Sequence, residues 1–480
     1  MDDATVATKH PFGGTPRLLA GEVVGSFDDY VARGGGSALR ASLERSPVET
    51  LDLLARAGIR GRGGAGFPAA VKWRSVLNGG GRRHFAICNA AEGEPGTFKD
   101  RALLRHNPYS VLEGLLVAAH TVSAAEAFIA LKASFLPELA RVRSALADIK
   151  AAGWCGDINV VVVEGPEEYL FGEEKALLEV IEGNEPLPRW LPPFQHGLYA
   201  TAPQLGWEST EAEAGHPGRY ESNPTLVNNA ETLAQVVWAL QFGVEAFRSI
   251  GTASSPGTVI CTVVGDVDLP GVVEVAMGTH LRDVLRLCGA PRPGRQIKGV
   301  FPGVANAVIT ADQLDTPITH EHLTAIGSGL GSAGFIVYDD TACMVEVAAT
   351  FSRFLSVESC GQCPPCKLGT TAITSALERL RVGEGEDSDV DVIQRSLSFV
   401  TDANRCYLPV QERVLVSSIL RAFPDDVVVH LEGRCGSDRT VITLPKIADL
   451  EDGFVRYDQR QADKQPDWTY RQSGEDPVGP

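Results

Sequence analysis

Cys360, Cys363 and Cys366 form a C-x2-C-x2-C run, and Cys406 follows in Asn404-Arg405-Cys406-Tyr407-Leu408-Pro409. Thiolates are soft ligands that suit iron and zinc. Gaps of two residues let successive cysteines turn toward one centre, as three corners of a cubane require, and a remote fourth cysteine commonly completes such a site. Cys406, the next cysteine along, is the expected fourth ligand of a [4Fe–4S] cluster. Cys435, in a glycine-bearing segment further on, is its rival. Zinc sites usually pair two C-x2-C knuckles or add histidine. Here three cysteines share one run and no histidine lies between His322 and His430, so the spacing favours iron–sulfur over zinc. Cys261, Cys288 and Cys343 fall in apolar runs and read as small buried hydrophobes.

Three other groups could do chemistry. Gly61-Arg62-Gly63-Gly64-Ala65-Gly66-Phe67-Pro68 offers free N–H groups and close backbone approach, which suit phosphate. It lacks the strand followed by G-x-G-x-x-G of the dinucleotide fingerprint. Asn89-Ala90-Ala91-Glu92-Gly93-Glu94 follows an expected strand, where α/β sheets place their ligands. Gly172-Glu173-Glu174 and Asn228-Asn229 punctuate apolar segments in the same way. Each alone fits a solvated loop; their recurrence in one region favours a ligand crevice.

The elements that must position these groups alternate between strand and helix. Strands are expected over 85–88, 127–131 and 158–163, and helices over 38–45, 109–122, 173–181 and 228–242, which suggests a parallel α/β sheet. Residues 1–50 form an N-terminal segment, flexible over 1–17. The sheet domain covers 51–250. A small β-rich domain with strands at 259–265 and 271–276 covers 255–342, two or three helices cover 343–425, and an extension covers 426–480. Its last part, from residue 456, is charged and expected to be mobile or draped on the surface.

The 480 residues carry 43 basic and 61 acidic side chains, a net charge of −18. So acidic a chain argues against nucleic-acid binding. No stretch approaches the ~18 apolar residues of a membrane span, and Met1-Asp2-Asp3-Ala4 lacks a signal-peptide pattern. A cytoplasmic protein, peripheral to a membrane through partner subunits at most, is expected.

Read together, the motifs resemble the NADH-binding flavoprotein subunit of respiratory complex I, the 51 kDa type, with relatives in NAD-dependent hydrogenases and formate dehydrogenases. The likeness runs from about residue 51 to 423. It is carried by residues 58–68, by Cys88-Asn89 with residues 92–101, by Gly172-Glu173-Glu174, Pro192-Pro193-Phe194 and Asn228-Asn229-Ala230-Glu231-Thr232-Leu233, and by the cysteine run with Glu358-Ser359 before it. The resemblance implies a Rossmann-like FMN-binding domain, a ubiquitin-like β-grasp (SLBB-type) domain and a helical bundle holding the cluster. It implies hydride transfer from NADH to FMN, then single-electron transfer to the cluster and on to a thioredoxin-like [2Fe–2S] subunit and further iron–sulfur subunits. By position, Gly61, Arg62, Gly63, Lys72, Asn89, Glu92, Tyr169, Gly172, Glu173, Asn228 and Asn229 would cradle FMN. Gly64, Gly66, Phe67, Glu94, Glu174 and Phe194 would face NAD(H). Glu94 and Tyr169 would be the catalytic pair, and Glu174 would repel the 2′-phosphate of NADPH.

The chain departs from the family around the flavin. Ala91 and Gly93 stand where aspartate and serine are usual. Gly165-Pro166-Glu167-Glu168-Tyr169 replaces a Gly-Ala-Gly turn, so Pro166 removes an N–H and two carboxylates add negative charge. Leu191 stands for a lysine and Ser75 for an aromatic, and the connection 195–222 is long. Two readings follow: a divergent NADH dehydrogenase subunit, favoured by the retained motifs, or an electron-transfer or assembly subunit that keeps the cluster with weak or absent FMN and NADH binding.

Overall fold

The computed structural model describes residues 16–81, 83–202, 221–433, 435 and 442–471. Strands β1 (Phe85–Asn89), β2 (Glu126–Lys132), β3 (Asn159–Gly165) and β4 (Thr225–Asn229) form one sheet in the order β3-β2-β1-β4. All its pairs are parallel. Successive residues of β1 face opposite sides: Ala86 and Cys88 pack into the core that contains helices Pro108–Thr121 and Ala230–Phe242, while Phe85 and Ile87 pack with Leu177 and Leu178 of helix Glu174–Ile181. Both faces of the sheet are therefore covered, as parallel sheets require. The chain runs one way from β1 to β2 and β3 and returns to the other side of β1 as β4. The switch point lies between β1 and β4, and their register pairs Asn89 with Asn229 at the carboxyl ends. Ligands of open α/β sheets bind at such a point.

β4 was not expected, because residues 228–242 read as helix. The helix begins at Ala230, and Asn229 caps it by accepting a hydrogen bond from the Glu231 N–H at 3.1 Å. A five-residue strand buried on both sides has no alternation to betray it.

A second sheet comprises β5 (Thr258–Gly265), β6 (Gly271–Ala276), β7 (Ile297–Pro302), β8 (Ile309–Thr310) and β9 (Gly334–Asp339), in the order β6-β5-β9-β7-β8. β5 and β9 are parallel and the other pairs antiparallel. With helix Leu281–Leu287 after the first hairpin, this is the β-grasp order. Four helices follow where two or three were expected: Met344–Glu358, Pro364–Arg381, Asp387–Phe399 and Leu408–Ala422. A shorter one, Pro424–Leu431, packs against them.

The tail refines a second expectation. Residues 456–471 do lie largely on the surface, one of the two expected alternatives, but they are ordered by structure that was not expected: a hairpin of β10 (Ile447–Glu451) and β11 (Phe454–Tyr457) leads into them, and Lys464, wholly buried, reaches Glu358 at 2.8 Å. Polar composition disguised the inward-facing residues after 456, because Gln461 and Lys464 are satisfied by the Glu358 carboxylate and not by apolar contact. Arg17, expected in a flexible stretch, stacks 3.9 Å over Trp238 and donates to the Phe247 carbonyl at 2.9 Å. Residues 1–15 and 472–480 and most of the long connection, 203–220, lie outside the described residues. Its ends are tied together, with the Gly197 N–H donating to the Ser222 carbonyl at 2.8 Å. Among the described residues no helix is long and apolar enough to cross a membrane.

Candidate functional site

The glycine-rich loop sits over the switch point. Its ends are closed by the Gly61 N–H donating to the Phe67 carbonyl at 2.8 Å and by Arg60 Nε donating to the Gly66 carbonyl at 2.8 Å. A Cβ at Gly63 would come within 3.1 Å of the Asn229 Cβ, and one at Gly66 (φ +62°) within 2.4 Å of the His320 ring. The loop thus approaches β4 and helix His320–Ala325 too closely for side chains, while the space above Gly64 is open. Arg62 is turned inward: its N–H donates to Thr232 Oγ1 at 2.9 Å, and its guanidinium donates to the Thr258 carbonyl at 3.0 Å beside Glu231. Arg62 pins the loop and presents no charge to the crevice.

The other predicted residues gather at the strand ends. Asn89 Nδ2 donates to the Gly172 carbonyl at 2.8 Å, and Asn228 Oδ1 accepts from Trp73 Nε1 at 2.6 Å. Lys72 and Glu174 pair at 2.6 Å. Phe67 and Phe194 are both exposed, so their ring faces are open to stacking. Glu173 caps helix Glu174–Ile181, accepting from the Lys175 and Ala176 N–H groups, and burial pushes its carboxyl up to about 7. Glu92 does not open onto the crevice alone: it accepts from Arg101 Nε at 3.1 Å and from the Asp100 N–H. Behind it, Lys99 is held charged; burial opposes this, but Asp100, Glu231 and Glu92 outweigh it.

The departures from the family pattern are accommodated by this chain's own residues. Lys132 donates to the Glu167 carbonyl at 2.9 Å, and Lys464 lies 3.8 Å from the Glu168 carboxylate. Burial, with Lys446 and Lys464 nearby, pushes Lys132 down to about 7. A Cβ at Gly93 would meet Lys132 Nζ at 3.0 Å, so the missing serine leaves room for the lysine. Ala91 is fully buried in the core beside Phe171. Ser75 donates to the Lys72 carbonyl at 2.7 Å and Leu191 is half-buried.

The four predicted cysteines meet. Cys360, Cys363, Cys366 and Cys406 line a single small cavity, with Leu170, Ser359, Gly361, Leu408 and Pro409 among its walls. Cys363 caps helix Pro364–Arg381 and Cys406 precedes helix Leu408–Ala422, so the bundle fixes both. Polar groups already address the sulfurs: the Arg405 N–H donates to Cys363 Sγ at 3.4 Å and Ser359 Oγ lies 3.3 Å from Cys366 Sγ, while Lys367 Nζ holds the Ser359 carbonyl beside them. Burial pushes the Cys366 thiol up to about 11 and the Cys406 thiol well up. Without a metal these sulfurs hold their protons; a bound cation is what converts such thiols to thiolates. The donor set fits an iron–sulfur cluster, with an apolar wall and N–H groups aimed at sulfur. Cys435 does not line this cavity; it lies beside Cys343 and His430.

One short segment, Tyr169–Gly172, joins crevice to cavity. The Tyr169 hydroxyl donates to Glu94, and Gln411 Nε2 donates to Tyr169 Oη at 2.7 Å. The Tyr169 N–H donates to Glu358 Oε2 at 3.0 Å, two residues before Cys360, and Leu170 lines the cluster cavity. Burial pushes Glu94 up to about 7, against hydrogen bonds from Tyr169 and the Val304 N–H. Gln411, Glu358 and Lys464 were missed from sequence. Only Glu358, directly before Ser359-Cys360, lay within a motif.

The sequence matches the Nuo51 FMN-binding domain over residues 54–238 and the NADH-ubiquinone oxidoreductase-F iron-sulfur binding region over residues 346–430. It is 36% identical over 418 residues to the NADH-quinone oxidoreductase F 2 subunit of Rhizobium meliloti, covering 84% of this chain and 94% of the relative. It is 34% identical to the NADH-quinone oxidoreductase F subunit of Streptomyces coelicolor, covering 88% and 94%. It is 32% identical to the HndC subunit of the NADP-reducing hydrogenase of Solidesulfovibrio fructosivorans, covering 85% and 81%. Among solved structures, an NAD+-reducing [NiFe]-hydrogenase in the H2-reduced state superposes with a TM-score of 0.73 at 28% identity, over 86% of this chain and 67% of that one. These relatives are subunits of larger redox assemblies, and the chain belongs to the family of NADH-quinone oxidoreductase F subunits, with an FMN-binding α/β domain and a [4Fe–4S]-binding bundle.

Proposed function

We propose that this chain oxidises NADH at the crevice over the β1–β4 switch point and passes electrons singly through the cluster held by Cys360, Cys363, Cys366 and Cys406. The observation that carries the reading is the Tyr169–Gly172 segment, which borders both sites through adjacent residues, Tyr169 and Leu170. FMN, when bound, accepts the hydride and releases its two electrons one at a time, which is chemistry the cofactor owns. The protein supplies position. Gly61, Gly63, Asn89, Gly172, Asn228 and Asn229 form the cradle; Arg62 and Glu92 hold it rigid from behind. Gly64 and Gly66 let the nucleotide approach, and Phe67 and Phe194 offer faces for adenine. Lys72, Glu173 and Glu174 set the charge at the rim, and Glu94 with Tyr169 holds or releases a proton near neutral pH.

The electrons leave for other subunits, a thioredoxin-like [2Fe–2S] protein first and further iron–sulfur subunits after it. Attachment to a membrane would come through such partners; among the described residues no helix is long and apolar enough to cross one.

The test is direct. The protein is purified anaerobically, its visible spectrum recorded, and NADH added. Flavin and cluster bands that bleach on NADH are expected. A brown protein with no releasable FMN, unresponsive to NADH, overturns the reading in favour of a cluster-bearing subunit that does not oxidise NADH.

A further inference from the structure

We propose that Cys343, His430 and Cys435 bind a zinc ion, at a site apart from the cluster cavity. Their ligand atoms all lie within 4.8 Å of one another, and Cys343 Sγ is 3.1 Å from His430 Nε2. Tetrahedral zinc with ordinary bond lengths would set sulfur and nitrogen about 3.6 Å apart, so the pair need open by only a few tenths of an ångström.

The histidine is already in the required tautomer. His430 Nδ1 lies 2.8 Å from the Leu380 carbonyl. A carbonyl only accepts, so Nδ1 carries the proton and Nε2 turns a bare lone pair toward the sulfur. A backbone carbonyl on the far ring nitrogen is the usual second contact of a metal-binding imidazole. Cys343 is the N-cap of helix Met344–Glu358, where the helix dipole favours negative charge on sulfur. Cys343 and His430 are buried, at 1% and 2% exposure, whereas Cys435 is exposed. Two ligands are thus fixed by packed helices, and the third closes over them from the solvent side. Glu346, ion-paired with Arg381 at 3.6 Å, is the carboxylate facing His430. It belongs to that pair and not to the ligand group, so among the described residues three protein ligands gather and one coordination position is open. Two thiolates and one imidazole suit zinc, and binding would release one proton from each thiol.

The site has a structural purpose. Cys435 lies beyond helix Pro424–Leu431 and before β10, on the way to the tail that delivers Lys464 to Glu358. Zinc would staple the start of that tail to the bundle.

The full chain is purified without chelators, and zinc and iron are measured together by inductively coupled plasma mass spectrometry. About one zinc per chain is expected, with extended X-ray absorption fine structure showing two sulfur and two nitrogen-or-oxygen ligands. C435S, at an exposed position, should fold, keep its iron and lose the zinc; H430N should do the same if it folds. Zinc undiminished in C435S, no zinc bound even after incubation with zinc chloride, or a Cys343–Cys435 disulfide in anaerobically prepared protein would each overturn the proposal.

Discussion

Gln411 Nε2 donates to Tyr169 Oη at 2.7 Å, tying the helix that follows Cys406 to the segment that closes the crevice. With the Tyr169 N–H on Glu358 at 3.0 Å, it is one of two bonds that hold Tyr169 to the cluster bundle. Gln411→Leu should remove it at about 1 kcal/mol in stability. In stopped-flow absorbance, bleaching of flavin by NADH should keep its rate while reduction of the cluster slows by about tenfold, the factor that ~1.4 kcal/mol gives. Equal slowing of both phases would show that Gln411 serves the fold alone.

The fourth ligand can be settled by composition. Cys406 lines the cavity with the other three cysteines, and Cys435 does not. Cys406→Ala should lose most of the cluster iron and its brown absorbance, because a cubane corner is left without a thiolate. Cys435→Ala should keep both. Iron retained in the first variant and lost in the second would reverse the assignment.

The cluster was legible in sequence because its ligands are chemically rare and closely spaced. The fold was legible at some of its long elements, as at Pro108–Thr121 and Glu126–Lys132, although the sixteen-residue helix Leu136–Ala151 was missed. Much of what else stayed hidden was short or polar. β4 gave no pattern in five residues, and the asparagines that end it read as the start of the next helix. Lys464 and Gln461 looked like solvent-exposed residues, yet both are buried because Glu358 gives them a partner: Lys464 at 2.8 Å and Gln461 Nε2 at 3.2 Å. Arg62 shows the converse. A motif position said that it belongs to the flavin loop, but only the fold shows its guanidinium spent on Thr258 and Glu231.

The Glu358–Lys464 pair is wholly buried, and removing one partner from such a pair typically costs about 3–5 kcal/mol through the charge left behind. Lys464→Met should lower the thermal midpoint accordingly and leave the Tyr169 N–H bonded to an unbalanced carboxylate. The double variant with Glu358→Gln should recover much of the loss. Additive losses in the two single variants would show that the pair contributes no coupling.

Glu174 stands at the crevice rim, paired with Lys72 at 2.6 Å. On the proposed function, a carboxylate there would disfavour the extra phosphate of NADPH by charge repulsion. Glu174→Gln should raise kcat/KM for NADPH relative to NADH by roughly tenfold, or ~1.4 kcal/mol, with the cluster untouched. An unchanged ratio would place the 2′-phosphate beyond the reach of Glu174.

Glu412 lies inside the bundle, fully buried, and accepts from Ser352 Oγ at 2.6 Å. Burial pushes its carboxyl up from 4.5 to about 8, with the Ser352 bond opposing. The folded protein therefore keeps a proton that the unfolded chain releases above pH 4.5. Where the folded state binds more protons, stability falls as pH rises. The contribution is fully favourable below the unfolded value, declines across the interval from 4.5 to about 8, and levels off above it. Glu412→Gln keeps the shape and the bond from Ser352 but has no proton to lose. Its unfolding free energy should fall less steeply between these limits than that of the parent protein, the gap by pH 8 amounting to roughly 3–5 kcal/mol, read from denaturant titrations at each pH. Buried Glu94 and Glu173 titrate lower, near 7, and persist in both proteins, so the difference between the two curves isolates Glu412. Parallel curves would mean that the proton is held elsewhere.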